Sequence, residues 1–293
     1  MNTLHLKKYV EQWMFLQDIP APCDDQCIVF DTDLPDQIDE NNNHKLVSLR
    51  SMQWCWIWWK LLSLAKQHRH IIFIMTETSL NEISDDLDAI TNYAPLLILN
   101  TNHIAQRRDL WVVFGRAIHC LDPVDLQSFQ NILVDKQNPI YCRIQPWEYP
   151  QQLIDKNIER DQYVSVAPYW LQWNQWTVLC FGRITHECLH ALHINQEQWW
   201  WYDCFFWLSA FLTITDQIRD SLLQTERLVL VWDHDWVFLD MYAKNLLYSQ
   251  SLYDIDIQLV TPIYEWITTL HPDYFYEQAW FWVEQLVWVF SHK

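Results

Sequence analysis

The clearest catalytic spacing in this sequence is the run His186-Glu187-Cys188-Leu189-His190, which fits the pattern H-E-x-x-H. On a helix, two histidines four residues apart lie on one face and can bind zinc, and the glutamate between them can serve as a general base. A third ligand is also required; His193 lies too close in sequence for the usual geometry, and Glu226 is a downstream candidate. One hypothesis is therefore a zinc-dependent hydrolase that uses these two histidines and the glutamate.

A second pattern, F-G-R-x-x-H, occurs twice, at 114–119 and at 181–186, and its copies contain the two glycines of the chain. We interpret both copies as strand-to-helix turns in related α/β units. The N-terminus of a helix attracts anions, because its first backbone N–H groups have no partner within the helix. A cationic side chain beside it adds to this attraction. Arg116, His119 and Arg183 are therefore candidate anion ligands.

The small number of glycines limits which cofactor sites this chain can build. It has 293 residues with 20 Trp and 2 Gly. Loops that bind phosphate or nucleotides usually need several glycines, because the backbone must approach the ligand closely. This composition counts against an intact cofactor site and excludes a P-loop or a dinucleotide fingerprint. The eight cysteines lack paired zinc spacing, and we interpret them as reduced, buried residues.

Charge and hydropathy indicate the kind of partner. A net charge of −18 argues against nucleic acid and anionic lipid, and it is compatible with a basic protein partner. No stretch reaches the roughly 18 apolar residues of a membrane span, and residues 1–8 lack the apolar core of a signal peptide. We therefore expect a cytoplasmic protein that binds neither nucleic acid nor membranes.

Apolar runs and helical patterns alternate through the first half of the chain. Continuous apolar runs such as 71–75 are typical of buried parallel strands. The predicted strands are 27–30, 71–75, 96–99, 110–114 and 139–144, and the predicted helices are 1–20, 51–67, 79–92 and 125–133. This alternation predicts a mostly parallel sheet covered by helices.

The second half repeats the alternation after a polar, proline-bearing stretch at 146–160. The predicted strands are 176–181, 228–232 and 255–260, and the predicted helices begin near 184 and cover 215–224, 236–247 and 273–290. Residues 199–211 fit either a strand or a buried helix. The resulting domains are 1–145 and 163–293, joined by a linker over 146–162.

The segment from Thr177 to Leu192 resembles the opening of the transketolase C-terminal domain. The resemblance is closest to the β subunits of the 2-oxo acid dehydrogenase decarboxylating components. In that family a strand ends in an aromatic–Gly–Arg turn and leads into a helix reading roughly H-E-A-L-x-A-A, as at 181–191 here. On this interpretation H-E-x-x-H is incidental to a structural helix, and no metal is expected.

The resemblance extends over about 107–262. Residues 215–235 are similar to the next helix and strand of the family, with Asp233-His234-Asp235 in place of an acidic–His or Glu–Glu pair. Residues 109–114, 121–125 and 138–143 resemble the end of its pyrimidine-binding domain. The resemblance implies an α/β fold of two mostly parallel sheets covered by helices, in a shortened pyrimidine-binding-like domain and a C-terminal domain.

Family members use thiamine diphosphate with magnesium, and the resemblance implies where catalytic residues would lie. Glu77 stands at the position of an acidic strand end, and His103 lies near a pocket histidine. The glutamate that activates the cofactor should follow the strand at 96–99, where this chain instead reads Asn100-Thr101-Asn102-His103. Glu77 and His103 are thus catalytic candidates, but no thiamine diphosphate is expected unless a partner subunit completes the site.

Three functions follow from these observations. The first is a non-catalytic, degenerate transketolase-like protein that acts as a homodimer or hetero-oligomer, through subunit assembly or protein binding. The second is a β-type subunit of a thiamine diphosphate-dependent enzyme that needs a partner chain. The third is the zinc hydrolase. The tryptophan clusters at 54–59 and 199–201 fit a core or a dimer interface.

Overall fold

The structure is a computed structural model that describes most of the chain. The described residues are 3–12, 14–19, 26–31, 45–50, 52, 54–76, 80, 87–101, 106–113, 116, 118–135, 137–145, 148–151, 160–161, 164–167, 176–197, 202–207, 214–261 and 283–291. The chain divides into two compact units, Met1–Gln152 and Leu153–Lys293. The predicted linker over 146–162 and the domain limits beside it stay predictions. Within the described ranges, every helix is too short or too polar to cross a bilayer.

The first unit contains a six-stranded sheet and a two-stranded ribbon. Its strands are β1 (Thr3–His5), β2 (Gln26–Phe30), β3 (Lys45–Ser48), β4 (His70–Met75), β5 (Leu96–Asn100), β6 (His119–Leu121), β7 (Ile140–Arg143) and β8 (Glu148–Pro150). The sheet order is β3-β2-β4-β5-β7-β6 with every pair parallel, and β1 pairs antiparallel with β8. Strands β2, β4, β5 and β7 are apolar runs buried along their whole length, as parallel strands covered on both faces require.

Five helices accompany this sheet in the described residues. They are α1 (Leu6–Glu11), α2 (Trp54–Ala65), α3 (Leu87–Thr91), α4 (Gln106–Val113) and α5 (Leu126–Val134). Helix α5 begins at a capping box in which Asp125 accepts a hydrogen bond from the backbone N–H of Ser128 at 2.7 Å. The Ser128 hydroxyl lies 3.1 Å from the Asp125 backbone nitrogen and accepts from it. This reciprocal pair satisfies donors that the first helical turn leaves without partners.

The second unit has a mixed sheet. Its strands are β9 (Arg160–Asp161), β10 (Val164–Ala167), β11 (Trp176–Phe181), β12 (Tyr202–Trp207), β13 (Arg227–Val231) and β14 (Asp256–Val260). The order is β14-β13-β11-β12-β10-β9, and β11 to β14 run parallel. Strand β10 runs antiparallel to β12 and to β9, so two antiparallel strands extend one side of a parallel core.

The described helices of the second unit are α6 (Thr185–Glu197), α7 (Asp216–Thr225), α8 (Trp236–Ser249) and α9 (Val283–Ser291), and α9 packs against α6. Two of them begin at side-chain caps: Thr215 accepts from Ile218 N–H, and Asp235 accepts from Phe238 N–H. These caps separate the strands cleanly from the helices that follow.

The predicted fold class is confirmed, because two mostly parallel sheets flanked by helices form an α/β protein. The ambiguous segment at 199–211 contains a strand, Tyr202–Trp207, which pairs with β11. Of the helix predicted at 273–290, the part within the described residues is Val283–Ser291.

Two local predictions are wrong. The run Leu110–Phe114, predicted as a strand, falls largely in helix α4, where Leu110 and Val113 are buried and Trp111 is 40% exposed. This i, i+3 burial is helical, and a short apolar run cannot be assigned to strand or helix from its sequence alone. The helix predicted over 1–20 is a strand, a short helix and a 3-10 turn.

The capping box gives a direct test of what begins α5. Replacing Asp125 by Ala should lower the free energy of unfolding by about 1–2 kcal/mol, because the helix loses its N-cap acceptor. Urea denaturation followed by circular dichroism measures the change. Asp125→Asn keeps an acceptor oxygen and should lose clearly less, and equal losses for the two variants would contradict this role of the cap.

Candidate functional site

Polar residues gather at the carboxyl ends of the parallel strands of the first unit. Each such residue ends or directly follows a buried strand: Asp31 after β2, Thr76 after β4, Asn100 at the end of β5, Asp122 after β6 and Arg143 at the end of β7. In open parallel sheets this edge is where ligands commonly bind. This edge is therefore the candidate functional site of the first unit.

Asn100 forms the centre of the buried edge. Its side-chain amide donates to Asp109 Oδ2 at 2.7 Å and lies 2.6 Å from the hydroxyl oxygen of Tyr141. The Tyr141 hydroxyl in turn donates to the same Asp109 oxygen at 2.5 Å. Both Asn100 and Asp109 are fully buried, so a strand end, a helix and the neighbouring strand share one closed triangle of hydrogen bonds.

This triangle suppresses ionisation of the tyrosine. Burial, the charge of Asp109 and the hydrogen bond to it raise the pKa of Tyr141 well above its ordinary value. Tyr141 therefore remains a hydrogen-bond donor at physiological pH. The triangle thus acts as a fixed set of hydrogen-bond partners, and Tyr141 does not serve as a base in it.

A buried ion pair lies at the next two strand ends. Arg143 Nη1 contacts Asp122 Oδ2 at 2.9 Å, with side-chain exposures of 2% and 7%. Two neighbouring thiols have raised pKa values, chiefly because they are buried and next because Asp122 is close: Cys120 and Cys142. A thiol with a raised pKa is a poor nucleophile, so neither cysteine is suited to covalent catalysis.

Asp31 and Thr76 join the ends of β2 and β4. The Asp31 carboxylate accepts from the Thr76 backbone N–H at 3.0 Å and from its hydroxyl at 2.6 Å. Glu77, the predicted catalytic residue that follows Thr76, lies outside the described residues, as does His103. The structure thus describes the strand ends beside these two candidates, and their catalytic roles stay predictions.

The sequence interpretation did not single out Asn100, Asp109, Tyr141 and the Arg143–Asp122 pair as one cluster. A usable signal was present, because a polar residue directly after each buried apolar run predicts that these groups meet at one edge. Asp109 and Tyr141 carried no such signal, because each lies within its helix or strand.

The first F-G-R-x-x-H copy is not a strand-to-helix turn. It follows helix α4 and precedes strand β6, so Arg116 lies after a helix C-terminus. Its Nε donates to the carbonyl of Val112 at 2.8 Å, and its Nη1 lies 2.8 Å from Asp88 Oδ2. These are the interactions expected of a cation that caps the carboxyl end of a helix. His119 is the first residue of β6, and an anion at either residue stays a prediction.

The second copy is a strand-to-helix turn. Strand β11 ends at Phe181, and Gly182 follows with φ of 69°, a left-handed conformation that costs other residues about 1–2 kcal/mol. A 3-10 turn then leads into α6. Arg183 lies at this helix start, where its guanidinium pairs with the carboxylate of Glu187 one turn on. The predicted anion ligand therefore already contacts an internal carboxylate.

The H-E-x-x-H motif lies on helix α6, as its spacing predicts. His186 Nδ1 is 3.8 Å from Glu187 Oε1, and His190 is exposed. Burial raises the pKa of Glu187, but hydrogen bonds and charge from His186 and Arg183 outweigh it and hold the pKa below its ordinary value. Among the described residues, no cluster of three or more His, Cys, Asp or Glu side chains could hold a metal ion.

The triplet Asp233-His234-Asp235 lies at the carboxyl end of β13. His234 is fully buried, with its ring centroid 4.4 Å from that of Phe238 and its Nδ1 3.1 Å from Asp235 Oδ2. The His234 carbonyl accepts a hydrogen bond from the Thr261 hydroxyl. Since Asp235 also caps α8, this triplet is built into the start of the helix.

The Asn100 triangle predicts strong coupling between its members. Asn100→Ala should destabilise the first unit by about 1–3 kcal/mol, because Asp109 loses a buried donor. A double-mutant cycle with Tyr141→Phe, followed by urea denaturation, should give an interaction energy of about 0.5–3 kcal/mol. Additive effects would contradict a shared network, and Thr91→Ala, on the exposed side of α3, serves as the control that should change little.

The lowered pKa of Glu187 predicts a pH-dependent contribution to stability. A carboxyl with a depressed folded-state pKa stabilises the fold above its unfolded-state pKa, and this stabilisation is lost as pH falls through the folded-state pKa. Glu187→Gln should therefore be less stable than the unmodified chain at neutral pH, and the difference should shrink in acid. Thermal unfolding across pH measures this, with Glu284→Gln, at an exposed helical position, as the charge-matched control. A difference that stays constant with pH would contradict the ion pair.

Comparisons with known proteins agree with this architecture. No protein-family model matches the sequence, and no curated protein matches it either. A solved structure described as "Split gene transketolase, inactive beta4 tetramer" is similar with a TM-score of 0.72 and 12% identity, over 97% of this chain and 95% of that one. Transketolase from Campylobacter jejuni is similar with a TM-score of 0.64 and 11% identity, over 97% of this chain and 51% of its own. The chain therefore has a transketolase-like fold.

Proposed function

We propose that this chain is a transketolase-like protein with no catalytic activity of its own, which acts through subunit assembly or protein binding. The observation that carries this proposal is Asn100 at the end of β5. The resemblance places the cofactor-activating glutamate after this strand, and here an amide stands at the strand end. A side-chain amide cannot take up and release a proton at physiological pH, so activation of thiamine lacks its agent at this position.

The neighbouring carboxylate does not replace the missing glutamate. Asp109 is buried and accepts hydrogen bonds from both Asn100 and Tyr141. A carboxylate that already holds two internal donors has little capacity left for a ligand, and moving it would leave these donors unsatisfied. The described residues of this edge do not fit thiamine activation, and we expect no thiamine diphosphate to bind to the chain alone.

Assembly is supported by the first of the similar structures and by the surface. That structure is described as an inactive tetramer, and it matches this chain over nearly the full length of both. Large apolar side chains are also exposed here, among them Trp56, Trp59, Trp236 and Tyr253. Exposed aromatic residues are typical of protein interfaces. We infer a homodimer or hetero-oligomer that works in the cytoplasm and contacts neither nucleic acid nor membranes.

A second candidate is a β-type subunit of a thiamine diphosphate-dependent enzyme. The observation that favours it is the similarity to the structure described as a split-gene transketolase, which is matched over 95% of its own chain. A separate chain could then supply the rest of the enzyme, including the groups that bind the diphosphate and magnesium. On this proposal Glu77 and His103 would contribute to the completed site. The resemblance to 2-oxo acid dehydrogenase β subunits would then extend to function.

Calorimetric titration with thiamine diphosphate and magnesium, together with sedimentation, tests these proposals. We expect the purified chain to sediment as a dimer or larger assembly and to give no heat of binding beyond that of magnesium alone. Micromolar binding by the chain alone would overturn the non-catalytic proposal. Binding that appears only after addition of a candidate α-type subunit would support the second candidate.

A further inference from the structure

One segment of this acidic chain contains no acidic residue. Between Glu40 and Glu77 there is neither Asp nor Glu, and the segment contains the cations Lys45, Arg50, Lys60, Lys66 and Arg69. This gives the segment a charge of +5, so the rest of the chain carries −23, since the total is −18. A basic segment in an otherwise acidic chain can attract an acidic partner surface.

Helix α2 lies in this segment and exposes tryptophans. Trp56 and Trp59 are 59% and 54% exposed, so a core position is excluded for both. Lys60 follows on the same side of the helix, because positions i, i+3 and i+4 are neighbours. The second tryptophan cluster of the sequence, at 199–201, lies outside the described residues. Two large apolar side chains thus flank a cation on one exposed helix face.

The neighbouring surface extends this face. Lys66 Nζ lies 5.0 Å from the ring centroid of Tyr93, which is 57% exposed. Asp88 on α3, the helix packed beside α2, is held at 2.8 Å by Arg116, so its charge is compensated. We call Trp56, Trp59, Lys60, Lys66 and Tyr93 the basic tryptophan face.

The second unit carries a surface of opposite character. Tyr248 and Tyr253 are 53% and 67% exposed, with ring centroids 5.7 Å apart. Asp254 follows directly, and Asp256 is held beside Glu226 by a backbone hydrogen bond of 2.9 Å. All three carboxylates are exposed. We call these five residues the acidic tyrosine face.

We propose that the basic tryptophan face of one copy docks the acidic tyrosine face of a second copy. This inference rests on the proposed assembly function and names the surfaces that carry it. Each face combines exposed aromatic rings with a single sign of charge, so the contact would bury apolar rings while opposite charges set the orientation. Arg227 lies beside the acidic tyrosine face. Its guanidinium stacks on the ring of Trp176, 4.9 Å from the ring centroid, so this cation interacts within its own chain.

Charge favours a second copy over a polyanion such as a lipid surface. The rest of the chain carries −23, which repels an extended anionic surface but places acidic groups on every other copy.

Charge reversal tests this pairing by sedimentation at low ionic strength. We expect Lys60→Glu with Lys66→Glu to weaken self-association at least about tenfold, a change of about 1.4 kcal/mol. Asp254→Lys with Asp256→Lys should do the same. A mixture of the two variants should associate again, because each supplies the face that the other lacks. The control Lys7→Glu with Lys8→Glu has the same change of charge on helix α1, outside both faces, and should leave association unchanged.

Three further outcomes separate this inference from the proposed function. If the unmodified chain and both variants assemble equally, the pairing of these faces is overturned and assembly stands. If the unmodified chain stays monomeric, the pairing and a homo-oligomeric function are both overturned. If vesicles of phosphatidylserine and phosphatidylcholine bind the chain through Lys60 and Lys66 while both variants self-associate normally, the basic tryptophan face is a lipid site instead.

Association should also weaken as ionic strength rises from about 0.1 M to about 1 M, across which the Debye length falls from about 10 Å to about 3 Å.

Discussion

The amide of Asn100 links the end of β5 to strand β7 and helix α4. Parallel strands buried on both faces cannot expose polar groups to water along their length, so the polar groups at their ends must find partners inside the protein. Asn100, Asp109 and Tyr141 solve this with three side chains and one shared carboxylate oxygen. The ion pair of Arg143 and Asp122 solves the same problem one strand further along. This edge of the sheet is stabilised by internal contacts.

The second constraint is the number of glycines. Left-handed backbone is needed at some tight turns, such as those that begin or end a helix, and most proteins place glycine there. Here Gly182 takes the turn from β11 into α6, while Glu226, with φ of 55°, ends helix α7. Ser251 follows α8 with φ of 60°. The chain therefore accepts non-glycine residues in conformations that cost them about 1 kcal/mol or more. Few glycines remain for loops that must approach a phosphate closely.

Much of the fold could be predicted from sequence, because the buried parallel strands are continuous apolar runs. The strands that begin near residues 71, 96, 176 and 228 follow directly from such runs. The strand predicted at 110–114 is wrong, because the helical periodicity of this run shows only when the partner surfaces are known. The short strands Lys45–Ser48 and His119–Leu121 lack the length that identifies a strand, and their neighbours in the sheet determine them.

The candidate site was less predictable for a related reason. The strand-end positions of Asn100 and Arg143 can be located along the chain, but their partners Asp109 and Asp122 depend on how a helix and an edge strand pack. Helix α6 illustrates the opposite case, because its H-E-x-x-H spacing was evident and its glutamate nevertheless pairs with Arg183. Motif spacing identifies which side chains share a face. It does not determine which neighbour satisfies them.

The ribbon of β1 and β8 joins the two ends of the first unit, with Thr3 opposite Pro150. During synthesis, β1 leaves the ribosome first and its partner leaves last, after every strand of the parallel sheet. The ribbon can therefore close only once the whole unit is available, whereas the sheet can begin to form from its earlier strands. Closing so long a loop costs entropy that grows with the logarithm of its length. The ribbon thus marks completion of the first unit during translation, before most of the second unit has been made.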